Sequence, residues 1–398
     1  MPGKNNALIS AFNLPMLALT LAVALFMLHG SYIANGYLID GQGYVLGRDF
    51  LNFWYYGLAA WNGEVMRYYD IPQYNLVLDA LIPGYDYPDQ SFSYPPHFML
   101  LAAPFGLVGY NWALVLFHGS GIYLFWRVVA APLDDRAARI ALLVMPTFIV
   151  FFLCGQLSAF LAVILVAIYR NLDTRHWLAG LLIALMTVKP QLGILVPLFL
   201  LLTRRWQVFG FATLFSLLFV GASLLVHGIE PWRHYLTDGI AHQSSLMVFS
   251  NVVVIGLMPT IFVNLVMTGL GETLAMTIHG AVALAVTAMM VVTILGTRDR
   301  FLQFAALVAA TFSVTPYLMA YDTLILGWVV VMFAIHHGTN AWQAMTYRLV
   351  LILPVLGVTL ALVGIPGAPL VLLGLNLWVW MAAREGQTIT SRSAVVPQ

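Results

Sequence analysis

Long apolar runs separated by short polar connections dominate the chain. Runs such as Leu14–Leu28, Ile140–Leu153 and Leu349–Val363 approach or reach the length at which a helix spans a bilayer. Apolar and polar residues do not alternate within them, as they would in the strands of an outer-membrane barrel. The pattern therefore predicts an all-α polytopic membrane protein.

The runs predict about twelve transmembrane helices with short connections. The predicted spans are 12–34, 111–131, 138–153, 156–170, 175–188, 190–203, 206–226, 273–296, 301–314, 317–336, 345–363 and 366–383. The first run follows Lys4 and has no small-residue cleavage site before Asn35, so it predicts an uncleaved span. The organisation predicted is one transmembrane domain (1–384) and a disordered cytoplasmic tail (385–398).

Composition supports a membrane protein. Hydrophobic residues make up 61% of the 398 residues, charged residues only 8%, and mean hydropathy is +0.89. Soluble domains carry about 25% charged residues. The single cysteine, Cys154, excludes an internal disulfide.

The charges orient the predicted spans. With the N-terminus inside, the connections on the outer side hold only four of the 17 Lys and Arg residues, namely Arg48, Arg67, Lys189 and Arg233. The other thirteen lie inside, as the positive-inside rule expects. The prediction is an inner-membrane protein with both termini cytoplasmic and its working surface periplasmic.

Two apolar stretches do not fit the count of spans. If 252–267 crossed the membrane, every later connection would be inverted and Arg298 and Arg300 would lie outside. We expect this stretch to lie along the outer surface or to re-enter. The run 95–108 is placed at the interface, with Pro95 and Pro96 in the first turn of a short helix.

Two long connections are predicted on the outer side: the first outer segment (35–110) and the second outer segment (227–272). Segments of this length without spans are usually functional. The first is rich in Trp and Tyr, which prefer the headgroup layer. We expect short juxtamembrane helices there, within reach of a lipid-linked substrate.

Polar side chains recur where predicted spans meet the outer side. They occur in Gly47-Arg48-Asp49, Tyr69-Asp70, Tyr94-Pro95-Pro96-His97, Cys154-Gly155-Gln156, Lys189-Pro190-Gln191, Thr315-Pro316-Tyr317 and Tyr321-Asp322. A carboxylate there can act as a general base, and a cation can hold a phosphate. Ionisable residues at this depth are costly, which makes them functional candidates.

In their order and spacing from about residue 45 to 325, these pieces resemble the polyprenyl-phosphate-dependent glycosyltransferases of family 87, within the GT-C membrane superfamily. The matching pieces are Asp49-Phe50 with Tyr56, Tyr69-Asp70, Tyr94-Pro95-Pro96, Gly155-Gln156, Lys189-Pro190-Gln191 ahead of Arg204-Arg205-Trp206, and Thr315-Pro316-Tyr317. The chain departs from the family's mannosyltransferases in having Thr315 in place of a serine and Tyr321-Asp322 in place of histidines.

The resemblance implies a GT-C fold and transfer of a hexose, with mannose favoured, from a polyprenyl-phosphate sugar to a lipid or glycan acceptor on the periplasmic face. It implies Asp49 as the catalytic base. The expected partners are donor, acceptor and membrane lipids, with no nucleic acid.

Inverting transfer needs a base and a stabilised leaving phosphate. The predicted phosphate-binding residues are Lys189, Gln191, Arg233 and His97. The predicted acceptor or sugar pocket comprises Tyr56, Asp70, Tyr94, Gln156, Tyr321 and Asp322. There is no Asp-x-Asp pair, so no obligatory metal or other cofactor is expected.

Each candidate also has a structural interpretation. Asp49 could pair with Arg48 or cap a helix, and Asp70 could cap one before Ile71. Lys189 could be a snorkelling lysine at a helix end. Asp322, Gln156 and Gln191 could join helices, Arg233 and the tyrosines could be interfacial anchors, and His97 could lie in a solvated turn.

The competing function is a transporter or flippase of lipid-linked sugars, followed by a non-catalytic scaffold. Transporters usually show internal repeats and ionisable residues near the membrane midplane. In this chain the charges cluster outside the bilayer, and its halves do not visibly repeat. The pattern therefore favours the glycosyltransferase.

Overall fold

The computed structural model describes residues 3–82, 85–91, 94–249, 251–337 and 339–393. Helices make up most of this part of the chain. The α-helices are α1 (Gly3–Leu28), α2 (Arg48–Asn62), α3 (Val65–Tyr69), α4 (Ile71–Asp79), α5 (Phe98–Ala102), α6 (Tyr110–Leu124), α7 (Arg136–Val144), α8 (Pro146–Cys154), α9 (Ser158–Asn171), α10 (His176–Met186), α11 (Val196–Leu202), α12 (Trp206–His227), α13 (Glu230–His234), α14 (Ile240–Phe249), α15 (Val252–Gly256), α16 (Ile261–Met267), α17 (Glu272–Gly296), α18 (Arg300–Val314), α19 (Leu324–His336), α20 (Ala341–Leu351), α21 (Leu353–Leu362) and α22 (Ala368–Ser393).

Short irregular helical turns extend or join several of these helices. Three are 3₁₀ turns (Ala103–Leu107, Pro190–Leu192 and Ala320–Thr323) and two are π-helical (Phe125–Ala130 and Tyr235–Gly239).

A small hairpin follows the first helix. Strands β1 (Tyr32–Ala34) and β2 (Tyr37–Ile39) pair antiparallel, and their turn is Asn35-Gly36, with φ of 48° and 80°. Asn-Gly is a strong signal for such a turn, since both residues tolerate positive φ. The predicted first span, 12–34, is therefore wrong at its end: the helix ends at Leu28, and the hairpin begins the first outer segment.

Multiple helices in the described chain are long and apolar enough to cross a membrane. Four do so alone: Ala7–Leu28, Tyr110–Ala130, Trp206–His227 and Glu272–Gly296. Two more candidates are the bent pairs α7 with α8 and α20 with α21. The other predicted spans, except the last, coincide with helices that are too short to meet this test. The last span coincides with α22, which is long enough but is not among these candidates. The count of twelve is therefore not confirmed.

Burial distinguishes central helices from peripheral ones. Nearly every residue of α18 and α19 is buried, so these helices form the centre of the core. In contrast, the apolar faces of α1 and α12 are largely exposed. Exposed apolar helices on the rim of a bundle are suited to contact lipid tails.

Three connections predicted to share the cytoplasmic side meet at one end of the bundle. Asp173 accepts from Arg205 Nε at 3.0 Å and from Arg300 Nε at 2.5 Å. The first of these residues follows α9, the second precedes α12 and the third begins α18. The connections predicted for the opposite side meet around a cavity, described below.

The two apolar stretches that did not fit the count form only short helices. Residues 252–267 are divided between α15 and α16, and neither reaches the length of a span. Residues 98–107 form α5 and a 3₁₀ turn. The tail predicted as disordered from residue 385 continues α22 to Ser393, and 394–398 lie outside the described residues.

Candidate active site

A cavity of about 380 Å³ lies where the first outer segment meets the ends of the core helices. Its lining side chains come from 44–53, 71–75, 89–91, Tyr94, 154–156, 188–191, 254–258 and 317–321. All these stretches were predicted on the outer side. The cavity is therefore assembled from connections that are distant in the sequence.

The start of α2 is held against the end of α8 by two glycines. Gly47, with φ 87°, precedes α2 and donates its N–H to the Leu153 carbonyl at 3.0 Å. Gly155, with φ 65°, ends α8 and lies so close that a Cβ there would sit 2.5 Å from Phe50 Cβ. This close approach brings the first turn of α2 beside the residue that follows Gly155.

Asp49 lies at that junction and accepts a hydrogen bond from Gln156 Nε2 at 2.6 Å. Neither structural interpretation of Asp49 holds: Arg48 Nε pairs with Asp40 at 2.7 Å, and Gly47 occupies the N-cap. Burial raises the pKa of Asp49, while the hydrogen bond from Gln156 opposes that rise. A higher pKa makes a carboxylate a stronger base once it is ionised.

Lys189 is buried on the other side of Gln156. Its Nζ donates to Asp322 Oδ1 at 2.6 Å and to Gln156 Oε1 at 3.4 Å, and it lies 5.1 Å from the ring centre of Tyr321. Tyr94 Oη also donates to Gln156 Oε1, at 3.0 Å. Hydrogen bonds thus join Asp49, Gln156, Lys189 and Asp322, which we call the polar chain.

The polar chain unites several of the predicted site residues. Lys189 and Asp322 are 6% and 3% exposed, so neither is a snorkelling or surface charge. Gln191, Tyr94 and Tyr321 line the same cavity. The predicted base and the predicted phosphate-binding lysine therefore face one space.

Asp322 is joined to the cavity through Lys189 and does not itself line it. Four predicted site residues outside the polar chain do not line the cavity either. Tyr56 is fully buried with its ring against Tyr69 and Tyr74, and Asp70 caps α4 by accepting from the Gln73 N–H. Arg233 is exposed and pairs with Glu230 at 2.7 Å.

His97, the fourth, is buried and contacts Thr187 Oγ1 at 3.0 Å while stacking on Trp232. Burial lowers the pKa of His97 to about 4, so the ring is neutral near pH 7. A neutral ring in this setting packs two segments together and lacks the charge that would attract a phosphate.

The sequence interpretation did not single out Asn52, Asn75 and Gln90 in the cavity wall. Asn52 lies one helical turn after Asp49, a spacing that places both on one face of α2. From that spacing, the sequence could have predicted that Asn52 lies near Asp49. Nothing in the local pattern around Gln90 indicates its position.

No group of three His, Cys, Asp or Glu side chains within the described ranges could hold a metal ion. The metal independence expected from the sequence stays a prediction. The cation facing the cavity from the polar chain is Lys189, whose ammonium has three N–H donors. Asp322 and Gln156 use two of them.

Comparison with known proteins identifies the family of the chain. The family model described as glycosyltransferase family 87 matches residues 92–319, more than half of the chain. The chain therefore belongs to glycosyltransferase family 87.

A curated relative comes from Mycobacterium tuberculosis (strain CDC 1551 / Oshkosh). It is a polyprenol-phosphate-mannose-dependent alpha-(1-2)-phosphatidylinositol pentamannoside mannosyltransferase, 29% identical over 176 residues. The match covers 39% of this chain and 39% of the relative. No solved structure matches the chain.

Proposed function

We propose that this protein transfers a hexose, with mannose favoured, from a polyprenyl-phosphate sugar to a hydroxyl of a lipid or glycan acceptor. The reaction takes place on the periplasmic face of the inner membrane, inverts the anomeric carbon and requires no metal. The observation that carries the proposal is the polar chain, which places a carboxylate and a buried ammonium on one cavity. The relative that uses polyprenol-phosphate-mannose supports the donor class.

In the proposed reaction, Asp49 removes the proton of the acceptor hydroxyl. The acceptor oxygen forms a bond to the anomeric carbon while the bond from that carbon to the phosphate oxygen breaks. The phosphate leaves with the bonding electrons, and the ammonium of Lys189 stabilises its charge. Because the leaving group is already a phosphate, no acid is needed to protonate it.

An apolar wall is suited to the polyprenyl part of the donor. Val254, Leu257 and Met258 from the α15 region line the cavity, as does Met319, three residues before Asp322. A chain of isoprene units buried against these side chains would leave its phosphate near Lys189. Burial of apolar surface of this kind contributes roughly 25 cal/mol per Å².

The decisive experiment compares purified wild-type protein with Asp49→Asn. The wild type should release polyprenyl phosphate from a labelled polyprenyl-phosphate mannose and transfer the mannose to an alkyl glycoside. Asp49→Asn should reduce turnover by about 10²–10⁴, the range of general acid–base contributions. The donor KM should change little, because the base faces the acceptor hydroxyl.

Asp70→Asn is the matched control, since Asn caps a helix as well as Asp does and Asp70 lies outside the cavity wall. It should retain near-normal turnover. Near-normal turnover of Asp49→Asn would overturn Asp49 as the base. Absence of polyprenyl phosphate release by the wild type would contradict the proposed reaction itself and favour a transporter.

A further inference from the structure

Three amide side chains form a hydrogen-bonded cluster in the cavity wall, beside Asp49. Asn52 Nδ2 donates to Gln90 Oε1 at 2.6 Å, and Asn75 Oδ1 accepts from the Gln90 backbone N–H at 2.9 Å. The Tyr74 hydroxyl donates to Asn52 Oδ1. We call Asn52, Asn75 and Gln90 the amide cluster.

Neither of these contacts uses the donor end of the Gln90 amide. Oε1 accepts from Asn52 Nδ2, and Nε2 is at the other end of the side-chain amide. Gln90 Nε2 is buried and has no hydrogen-bond partner within the part of the chain that the structure describes. A buried donor without a partner costs about 1–3 kcal/mol, which a hydroxyl oxygen from a ligand would offset.

The amide cluster and Lys189 are connected to Asp49 through different neighbours. Asn52 follows Asp49 by one turn of α2, and Gln90 is bonded to Asn52. Lys189 contacts Gln156, which binds Asp49 from the end of α8. Along these hydrogen bonds and the first turn of α2, the polar groups follow the order Lys189, Gln156, Asp49, Asn52, Gln90.

This order matches the demands of inverting transfer. The leaving phosphate and the incoming hydroxyl must lie on opposite faces of the anomeric carbon, with the base beside the hydroxyl. If the donor phosphate is held by Lys189, the acceptor lies beyond Asp49, at the amide cluster. We propose that the amide cluster binds the hydroxyl groups of a neutral sugar unit of the acceptor, with Gln90 Nε2 as a donor to one of its oxygens.

The chemistry of the cluster favours a neutral sugar over an anionic headgroup. Its three side chains are uncharged amides, which donate to and accept from hydroxyl groups. Arg48 lines the same cavity, but Asp40 neutralises its charge through a 2.7 Å contact. The inference rests on the proposed function and adds to it the class of acceptor and the place where it binds.

The test measures acceptor KM with the wild type and Gln90→Ala. Octyl mannoside, octyl glucoside and octyl galactoside serve as acceptors, labelled polyprenyl-phosphate mannose is the donor, and phosphatidylinositol is the anionic comparison. Gln90→Ala should raise the KM of the best alkyl glycoside about fivefold to tenfold, the effect of one lost hydrogen bond. The donor KM should stay unchanged, because Lys189, and not Gln90, is the proposed phosphate ligand.

Gln42→Ala is the matched control, because Gln42 is exposed in the same outer segment and lies outside the cavity wall. Gln90→Asn, one methylene shorter, replaces Gln90→Ala if the latter elutes as an aggregate on gel filtration. An unchanged acceptor KM in the folded variant would overturn the inference. So would wild-type transfer to phosphatidylinositol and to none of the alkyl glycosides, whereas failure to release polyprenyl phosphate from any mixture would refute the proposed function.

Discussion

At the scale of single residues, Gln156 connects the two charged groups that the proposed reaction needs. Its Oε1 accepts from Tyr94 and from Lys189, and its Nε2 donates to Asp49. These contacts allow only one orientation of the amide. The same side chain thus stabilises the carboxylate form of Asp49 and holds the ammonium of Lys189 nearby.

This role predicts a shift in the pH profile of Gln156→Leu. The proposed base, Asp49, can accept a proton only when it is ionised, so activity should be lost as pH falls through its pKa, which burial has raised. Gln156 lowers that pKa by hydrogen bonding to the carboxylate, so its removal should raise the pKa further. The acid limb of kcat/KM against pH should move to higher pH.

Gln191→Leu provides the comparison, because Gln191 lines the same cavity and is not among the groups that shift the pKa of Asp49. Its acid limb should coincide with that of the wild type. A profile for Gln156→Leu that also coincides with the wild type would show that another group limits activity at low pH.

The buried ion pair of Lys189 and Asp322 should contribute to the stability of the protein. Removing one member of a buried ion pair leaves the other charge unpaired, which costs about 3–5 kcal/mol. Lys189→Met should therefore lower the thermal midpoint in detergent, and Lys189→Met combined with Asp322→Asn should recover most of the loss. The donor KM should stay raised in both, because neither variant offers an ammonium to the phosphate.

Midpoints measured by scanning fluorimetry on purified protein check this result. Arg233→Met is the control, since that cation is exposed and pairs only at the surface. If the double variant were as unstable as Lys189→Met, the 2.6 Å contact would contribute little to stability.

The predicted site residues that the structure brings together are those whose position follows from a helix end. Asp49, Gln156, Lys189 and Asp322 each stand at the boundary of an apolar run, so the same physical rule that sets the boundary places them at one surface. Gln90, in contrast, reaches the cavity through hydrogen bonds to Asn52 and Asn75. Contacts of that kind depend on the path of a whole segment and leave no periodic signal.

At the scale of secondary structure, the junction of α2 with α8 determines the position of Asp49, the proposed base. A side chain at Gly155 would meet Phe50 Cβ at 2.5 Å and the Gly47 carbonyl oxygen at 2.7 Å. Both the backbone conformation and the space therefore require glycine. Any larger residue must push α2, and with it Asp49, away from Gln156.

Gly155→Ala should consequently lower both stability and turnover. Gly63→Ala isolates the backbone contribution, because Gly63 has φ 70° and no atom within 4 Å of an added Cβ. The control should lose only about 1–2 kcal/mol, and Gly155→Ala about 1–3 kcal/mol more from overpacking. Equal losses of thermal midpoint and turnover in the two variants would contradict the close packing of α2 on α8.

The sequence predicted where helices occur better than how they are divided. Each predicted span coincides with one or more helices, yet α7 with α8 and α20 with α21 are bent by 44° and 85°. Pro146 and Pro354, each within the first two residues of the second helix, explain both breaks, because proline removes a backbone donor. The mean hydropathy of an apolar run does not show where the helix within it is interrupted.

At the scale of the whole molecule, the connections form two groups at separate ends of the bundle. This separation predicts which residues a membrane-impermeant reagent can reach from outside the cell. Leu76 lies in the first outer segment and is 68% exposed, while Arg136 is exposed near the other end. A membrane-impermeant thiol reagent should label Leu76→Cys in intact cells or spheroplasts, and should label Arg136→Cys only after permeabilisation.

The wild type provides the blank for this measurement, since Cys154 is buried. Labelling of Arg136→Cys and protection of Leu76→Cys in sealed cells would invert the proposed orientation. It would also move the cavity to the cytoplasmic side.

The cavity is assembled from two parts of the chain, so the residues proposed for the donor and those proposed for the acceptor can be exchanged separately. Lys189, Gln156 and the apolar wall fall within residues 92–319, which the family model matches, whereas Asp49, the proposed base, and the amide cluster precede that stretch. Replacing residues 35–91 by the equivalent stretch of another family member would exchange the residues proposed to bind the acceptor. The residues proposed to bind the donor would stay in place. Such chimaeras would be a direct route to enzymes that attach the same sugar to new glycans.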